Sequence, residues 1–240
     1  MSFRVVEIEG LKYEKPVLIE GFPGVGLAGT IAVNHIVSTL KLKEIAYIES
    51  EAIPPLIGLR DGRIVHPVRI HANSGLIVVV SDIPIELKYA NALAKSLVDW
   101  VASKNVILMI SLAGIARMRR EREEGERIVV GAASSQGALK ILDDFKIKRI
   151  EFGTIVGMPT AMLLEGEKRD IPTLLIMAEA HSNYPDAAAA SKLVEVLNRA
   201  LNLGVDIKPL LEEAKEIEAK VAQLMEKTRR SVQRPALPLV

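Results

Sequence analysis

Val17-Leu18-Ile19-Glu20 runs straight into Gly21-Phe22-Pro23-Gly24-Val25-Gly26-Leu27-Ala28-Gly29, after which Ile31, Val33, Ile36, Val37 and Leu40 recur at helical spacing. A short apolar run, a glycine-rich turn and a helical period predict strand, loop and helix in that order. The pattern repeats downstream. Residues 44–49 read as a strand. Residues 63–71 alternate in polarity and are followed by the turn signal Ala72-Asn73-Ser74-Gly75 and the apolar run 76–80, which predicts an antiparallel hairpin. A helix is expected over 85–103, with Leu87, Ala90, Leu93, Ala94, Leu97 and Val101 on one face. The uniformly apolar run 106–110 reads as a strand covered on both faces. Further strands are expected at 128–131, 154–156 and 173–177, with helices at 136–145 and 160–165. Tyr184-Pro185-Asp186 opens a helix running to Leu203, and Gly204 closes it.

Strands alternating with helices over some 200 residues predict an α/β fold, its sheet largely parallel and its helices on both faces. No internal repeat or Pro/Gly-rich linker precedes Lys208, so residues 1–207 read as one core domain. Residues 208–230 differ. Pro209 stands at a helix start, and Leu210, Ala214, Ile217, Val221, Leu224 and Thr228 follow at four- and three-residue steps. This is a short heptad seam. Leu210, Ile217, Val221 and Leu224 are therefore either an oligomer contact or a stripe packed on the core. Residues 231–240 contain Pro235 and Pro238, cannot stay helical, and read as an extended apolar tail ending in a free carboxylate. On its own terms that tail is either a disordered end or a docking segment.

Composition removes several functions. The 240 residues are 49% hydrophobic and 25% charged, the make-up of a globular protein. Lysine and arginine number 31 against 30 acidic residues, so the net charge of +1 offers no bulk attraction to a polyanion and no nucleic-acid partner is expected. The absence of cysteine excludes disulfides, thiolate nucleophiles and thiolate metal centres. Apolar runs such as 75–80 fall far short of the roughly 20 residues that span a bilayer, so no membrane partner is expected. Residues 1–10 alternate and carry acids, unlike a signal peptide. A cytoplasmic location follows.

The glycine loop is the most visible candidate for chemistry, because a glycine turn before a helix N-terminus cradles anions. Gly24, Gly26 and Gly29 satisfy a bare G-x-G-x-x-G. No acidic residue closes a second strand at the dinucleotide distance, however, and Thr30-Ile31 stand where a phosphate-binding lysine and hydroxyl would be needed. Close strand-to-helix packing is the favoured use of these glycines, and a nucleotide- or nucleoside-binding enzyme the alternative. His35, His66, His71 and His181 show no metal-ligand spacing, and on one continuous strand His66 and His71 would point to opposite faces. Ser111, Ser134 and Ser135 lie outside any nucleophile motif. Asp82, Glu151 and Glu179 fall near strand ends, where they serve as acid–base candidates or as helix caps. The run Arg117 to Arg127 mixes signs and reads as a solvated surface.

The chain resembles the proteasome-assembly-chaperone family, in particular archaeal homologues of its second subunit. The matching segments are the loop Gly21 to Gly29, Ile53-Pro54-Pro55, Gly153-Thr154-Ile155-Val156-Gly157-Met158-Pro159 with Leu163-Leu164, Glu179 through Pro185-Asp186-Ala187-Ala188, and Asp206-Ile207. The resemblance runs from about Val17 to the end. It implies a three-layer fold like that of nucleoside phosphorylases without their catalytic residues, no cofactor and no metal. It also implies a homo-oligomer, a tetramer or pentamer, that binds the α subunits of the 20S proteasome as an assembly chaperone or ATP-independent activator. C-terminal tails do the docking in such proteins, which points here to Pro235, Leu237, Pro238, Leu239 and Val240. Tails of this kind often end hydrophobic–tyrosine–any; this one ends Pro238-Leu239-Val240. A bare oligomeric scaffold with an unrelated partner is the third reading.

Overall fold

The computed structural model describes residues 2–116 and 127–216. Eleven strands and five complete helices are β1 (Arg4–Glu7), β2 (Val17–Gly21), α1 (Ala28–Thr39), β3 (Lys43–Glu49), β4 (Gly58–Arg60), β5 (Arg63–Val65), β6 (Val68–Ala72), β7 (Leu76–Ser81), α2 (Leu87–Ala102), β8 (Leu108–Ala116), β9 (Val129–Ala133), α3 (Gln136–Asp144), β10 (Lys148–Arg149), α4 (Met158–Lys168), β11 (Thr173–Ala180) and α5 (Ala187–Leu201). Nine of the strands form one mixed sheet in the order β1-β3-β6-β7-β2-β8-β11-β9-β10. Its centre, β7-β2-β8-β11, is parallel. The pairs β1–β3, β3–β6, β6–β7 and β9–β11 are antiparallel.

Two apolar layers cover the sheet. On one face α1, α3 and α5 supply Ala32, Ile36, Leu142, Leu193 and Leu197 to a core with Ile19, Val78 and Ile110. On the other, Leu93, Leu97 and Val101 of α2 and Met162 of α4 pack on Leu18, Ile77 and Met109. The alternation of Leu18 and Ile19 between these cores is the two-residue strand period at work, and it explains why the central strands read as unbroken apolar runs. Local chemistry sets the helix ends: the Ser135 hydroxyl accepts from the Ala138 N–H at 3.1 Å and opens α3. Arg169, just past α4, binds Asp99 of α2 and Glu165, tying the two helices of the second layer together.

Three expectations need correction. Residues 154–156 are not a strand; they belong to a loop that ends at Gly157 (φ 105°), and Val156 is 66% exposed. Thr154 and Val156 are exposed and Ile155 is half-buried, so the segment has no continuous face to lay on a sheet. Residues 63–71 are not continuous. Pro67, which has no N–H for the ladder, separates β5 from β6. β5 turns back on β4 through Asp61 (φ 51°) and Gly62 (φ 75°), a tight left-handed pair that closes a separate two-stranded ribbon. His66 therefore lies off the strand that carries His71. Finally, the helix from Asp186 stops at Leu201 with Asn202 left-handed, ahead of Gly204.

The terminal helix begins at residue 208 and is described to 216. Leu210 (2% exposed) and Ala214 are buried, and Leu210 joins the core of α1 and α5. The first seam residue thus packs on the core of its own chain. Ile217, Val221 and Leu224, the tail residues Pro235, Leu237, Pro238, Leu239 and Val240, and the charged run up to Glu126 lie outside the described residues. Among the described residues no helix is long and apolar enough to cross a membrane.

Candidate functional site

Three of the sequence segments singled out above meet at the carboxyl ends of β2, β8 and β11, the end of an α/β sheet where ligands usually sit. The glycine loop is there, and it is full of its own backbone. A Cβ on Gly21 would fall 2.3 Å from the Gly29 carbonyl oxygen, one on Gly29 2.1 Å from that of Leu112, and one on Gly114 2.1 Å from that of Val25. These glycines let α1 lie directly on β2 and β8, closer than any side chain allows. Gly26 is left-handed (φ 60°) and its carbonyl accepts the Asp186 N–H at 2.8 Å. The loop that a nucleotide phosphate would need is thus latched to the segment before α5.

Asp186 is the latch. Buried to 3% exposure, it accepts the Ala189 N–H at 2.9 Å as the cap of α5 and the His181 N–H at 2.8 Å, and its Oδ2 stands 2.9 Å from Arg127. Arg127 also donates to the Glu179 carbonyl. Glu179 itself accepts the Ile128 N–H, so its carboxylate serves the β9–β11 junction. His181 stacks on Tyr184 with ring centroids 4.6 Å apart.

Beside this corner is a cavity of about 370 Å³ lined by Phe22, Val25, Leu112, Ile155, Met158 and Met177. Its lining side chains are apolar apart from Thr154. Behind it Glu20 and its register partner Ser111 are sealed at 0% and 1% exposure. Burial pushes the Glu20 carboxyl up to about 7 against the opposing pull of Ser111 and of the Phe22 N–H, which lies 3.3 Å from Oε2. Glu20 and Ser111 stand side by side on paired strands and are both shut off from solvent, so neither is presented to a substrate.

The other candidates do structural work. Ser134 accepts the Thr173 N–H. Asp82 takes a two-point contact from Arg69, at 2.5 and 3.0 Å. His71 is buried and held well below the usual histidine range, at about 4, by that burial and by the charges of Arg69 and Arg60. His66 stacks on Tyr47 at 3.6 Å, and His35 Nε2 donates to the Asp206 carbonyl, fastening the approach to the terminal helix. Glu151 is exposed. Among the described residues no three histidine, aspartate or glutamate side chains are grouped as metal ligands. Sequence reasoning missed the partners of the glycines, Leu112 and Gly114, because close backbone approach across a sheet leaves no periodic signal.

The fold and this corner define a three-layer α/β protein in which a nucleotide-like glycine loop is used as a packing joint. Residues 18–225 match the model of the PAC2 family, and the chain belongs to that family. Among solved structures, Pyrococcus furiosus PbaA, an archaeal homolog of proteasome-assembly chaperone, is 32% identical with a TM-score of 0.84 over 96% of this chain and 97% of its own. P. furiosus PbaB, an archaeal proteasome activator, shares the fold at 22% identity and a TM-score of 0.83, covering 93% of this chain and 99% of its own. The uncharacterized protein MJ0106 of Methanocaldococcus jannaschii is 34% identical over 94% of this chain and 92% of its own length.

Proposed function

We propose that this chain is a non-enzymatic, cytoplasmic proteasome-assembly chaperone or adaptor. It acts as a homo-oligomer, a tetramer or pentamer, and grips the α subunits of the 20S proteasome through several C-terminal tails at once. The observation that supports this reading is the likeness to PbaA, an archaeal homolog of proteasome-assembly chaperone, over 96% of this chain at 32% identity. The glycine loop supports it from the other side: Gly26 is latched to Asp186 and Gly29 lies against Leu112, so these two glycines are engaged in holding the fold.

Docking by the tail is physically reasonable. Burial of Leu237, Leu239 and Val240 contributes about 1.5–3 kcal/mol each at best, and the terminal carboxylate adds a charge-assisted contact to a pocket cation. Ordering the segment offsets part of this, and Pro235 and Pro238 reduce that cost by restricting the free chain. One tail binds weakly; several on one oligomer bind through raised effective concentration. Whether binding promotes assembly or opens the gate is read by the same proteins in a peptide-hydrolysis assay.

The test is capture of purified α subunits by the full chain and by a form lacking residues 234–240. The full chain retains them and the shortened form, with fold and oligomer intact, does not; equal capture by both removes the tail mechanism. The competing enzyme reading is tested by calorimetry with ATP, AMP and nucleosides. Gly26→Val is a poor control there, because a side chain at φ 60° would meet the His181 carbonyl at 2.7 Å. Gly24→Ser is the better one, since a Cβ at Gly24 has its nearest neighbour 3.9 Å away.

A further inference from the structure

The apolar cavity beside the glycine corner has no part in the packing joint. It stands at the carboxyl ends of β2, β8 and β11, walled by the segments that follow β2, β7 and β8 and by the start of α4. None of its lining residues is ionisable, and Thr154 carries the only polar side chain among them. Two large apolar side chains of the lining, Leu87 and Val156, are 64% and 66% exposed. Exposed apolar groups around an apolar hollow mark an interaction site. At about 370 Å³ the hollow is near the lower end of the ~300–1,000 Å³ of small-ligand sites, so it takes a few side chains and not a folded element.

One segment of the chain suits it. Residues 117–126 and 217–240 lie outside the described residues, and within them only Pro235-Ala236-Leu237-Pro238-Leu239-Val240 runs six residues without a polar side chain. We propose that the cavity is the resting place of the chain's own last residues, with Leu239 and Val240 inside it and Arg234 left in water. Three matches point to this occupant. Apolar side chains meet apolar walls. Pro235 and Pro238 have no N–H, so the segment brings fewer backbone donors into a hollow with little to bond them. The terminal carboxylate meets the N-terminus of α4, which lines the cavity through Gly157, Met158 and Pro159 and has neither a side-chain cap nor an acidic residue in its first turn. Reach is sufficient. The 24 residues after Glu216 cover about 36 Å at the ~1.5 Å rise of a helix and more than twice that when extended. A globule of 240 residues has a radius of gyration of only about 18 Å. Resting tails are withheld from the α subunits until the ring competes for them; the inference thus rests on the tail reading of the proposed function and adds its regulation.

Trimming by a carboxypeptidase tests the resting site with no proteasome present. The full chain loses Val240 and Leu239 at least tenfold more slowly than a synthetic peptide of residues 231–240. Leu87→Asp with Val156→Asp sets two carboxylates at the mouth and brings trimming up to the peptide's rate; both side chains are exposed, so the circular-dichroism spectrum stays that of the parent. Equal rates for parent and peptide, or protection that the variant keeps, overturn the resting site. The chain has no cysteine, so Leu237→Cys with Val156→Cys under oxidation gives a disulfide within one copy. A link between copies, or none, overturns the placement of each tail in its own cavity. Failure here leaves docking of the tail on the α subunits standing, whereas capture of α subunits by the form lacking residues 234–240 removes that docking whatever the trimming rates.

Discussion

The glycine corner and the β4–β5 ribbon use their residues in opposite ways. At the corner, four chain segments are pressed together until carbonyl oxygens occupy the space of side chains: Gly21 on Gly29, Gly29 on Leu112, Gly114 on Val25, and Gly26 bound to Asp186. In the ribbon, Leu59 and Ile64 are left 74% and 64% exposed among the described residues. The corner carries the motif that looks catalytic and is spent on the fold. The ribbon carries no motif and is the part with surface to offer. Eye-catching composition and availability to a partner are thus separate properties, and the second is decided by burial.

The contrast is broken most severely at the corner. Gly29→Val places a branched side chain against the Leu112 backbone, where neither strand nor helix can withdraw; loss of soluble folded protein, or destabilisation beyond about 3 kcal/mol, is expected in urea unfolding. Asp186→Ala comes next. It removes the α5 cap and the carboxylate facing Arg127, at about 3–5 kcal/mol on the scale of broken buried pairs.

Glu20→Gln sharpens the comparison through pH. The folded-state value of about 7 lies above the unfolded 4.5, so folding favours the protonated acid. The native chain pays nothing for Glu20 below pH 4.5, and the cost grows as pH rises toward 7 and is complete above it. Parent and Glu20→Gln should therefore unfold alike at pH 4 and diverge by up to about 3 kcal/mol at pH 8, with the variant the more stable. A constant gap across that range would place Glu20 in a wetter site than its burial indicates. The smallest effect belongs to the ribbon: Leu59→Asp, measured at high dilution, changes unfolding free energy by about 0.5 kcal/mol or less, as for any side chain so exposed.

Much of the core was legible because its signals are local. The apolar run and glycine turn at 17–29, the stripe of α2 and the Asp186 cap each need only their own neighbourhood, and the elements fall within a few residues of expectation. The ribbon was legible in principle, since Asp61-Gly62 is a strong tight-turn dipeptide and Pro67 a ladder breaker, yet alternation across 63–71 hid both. Residues 154–156 misled for another reason: β-branched residues favour strands where they pack on a half-buried sheet surface, and Thr154 and Val156 are exposed. What was not legible was the meeting of the three segments at one corner. Gly26 with Asp186, and Gly114 with Val25, are contacts between residues some 90 to 160 positions apart, set by strand order and not by any spacing in the chain.

The most direct measurement concerns multiplicity at the proteasome. On a surface bearing intact 20S particles, the full chain should bind at least 100-fold more tightly than a synthetic peptide of residues 231–240, because one tail is weak and several are not. Equal affinities for chain and peptide, or binding by the chain that the peptide cannot compete at any concentration, would contradict the account.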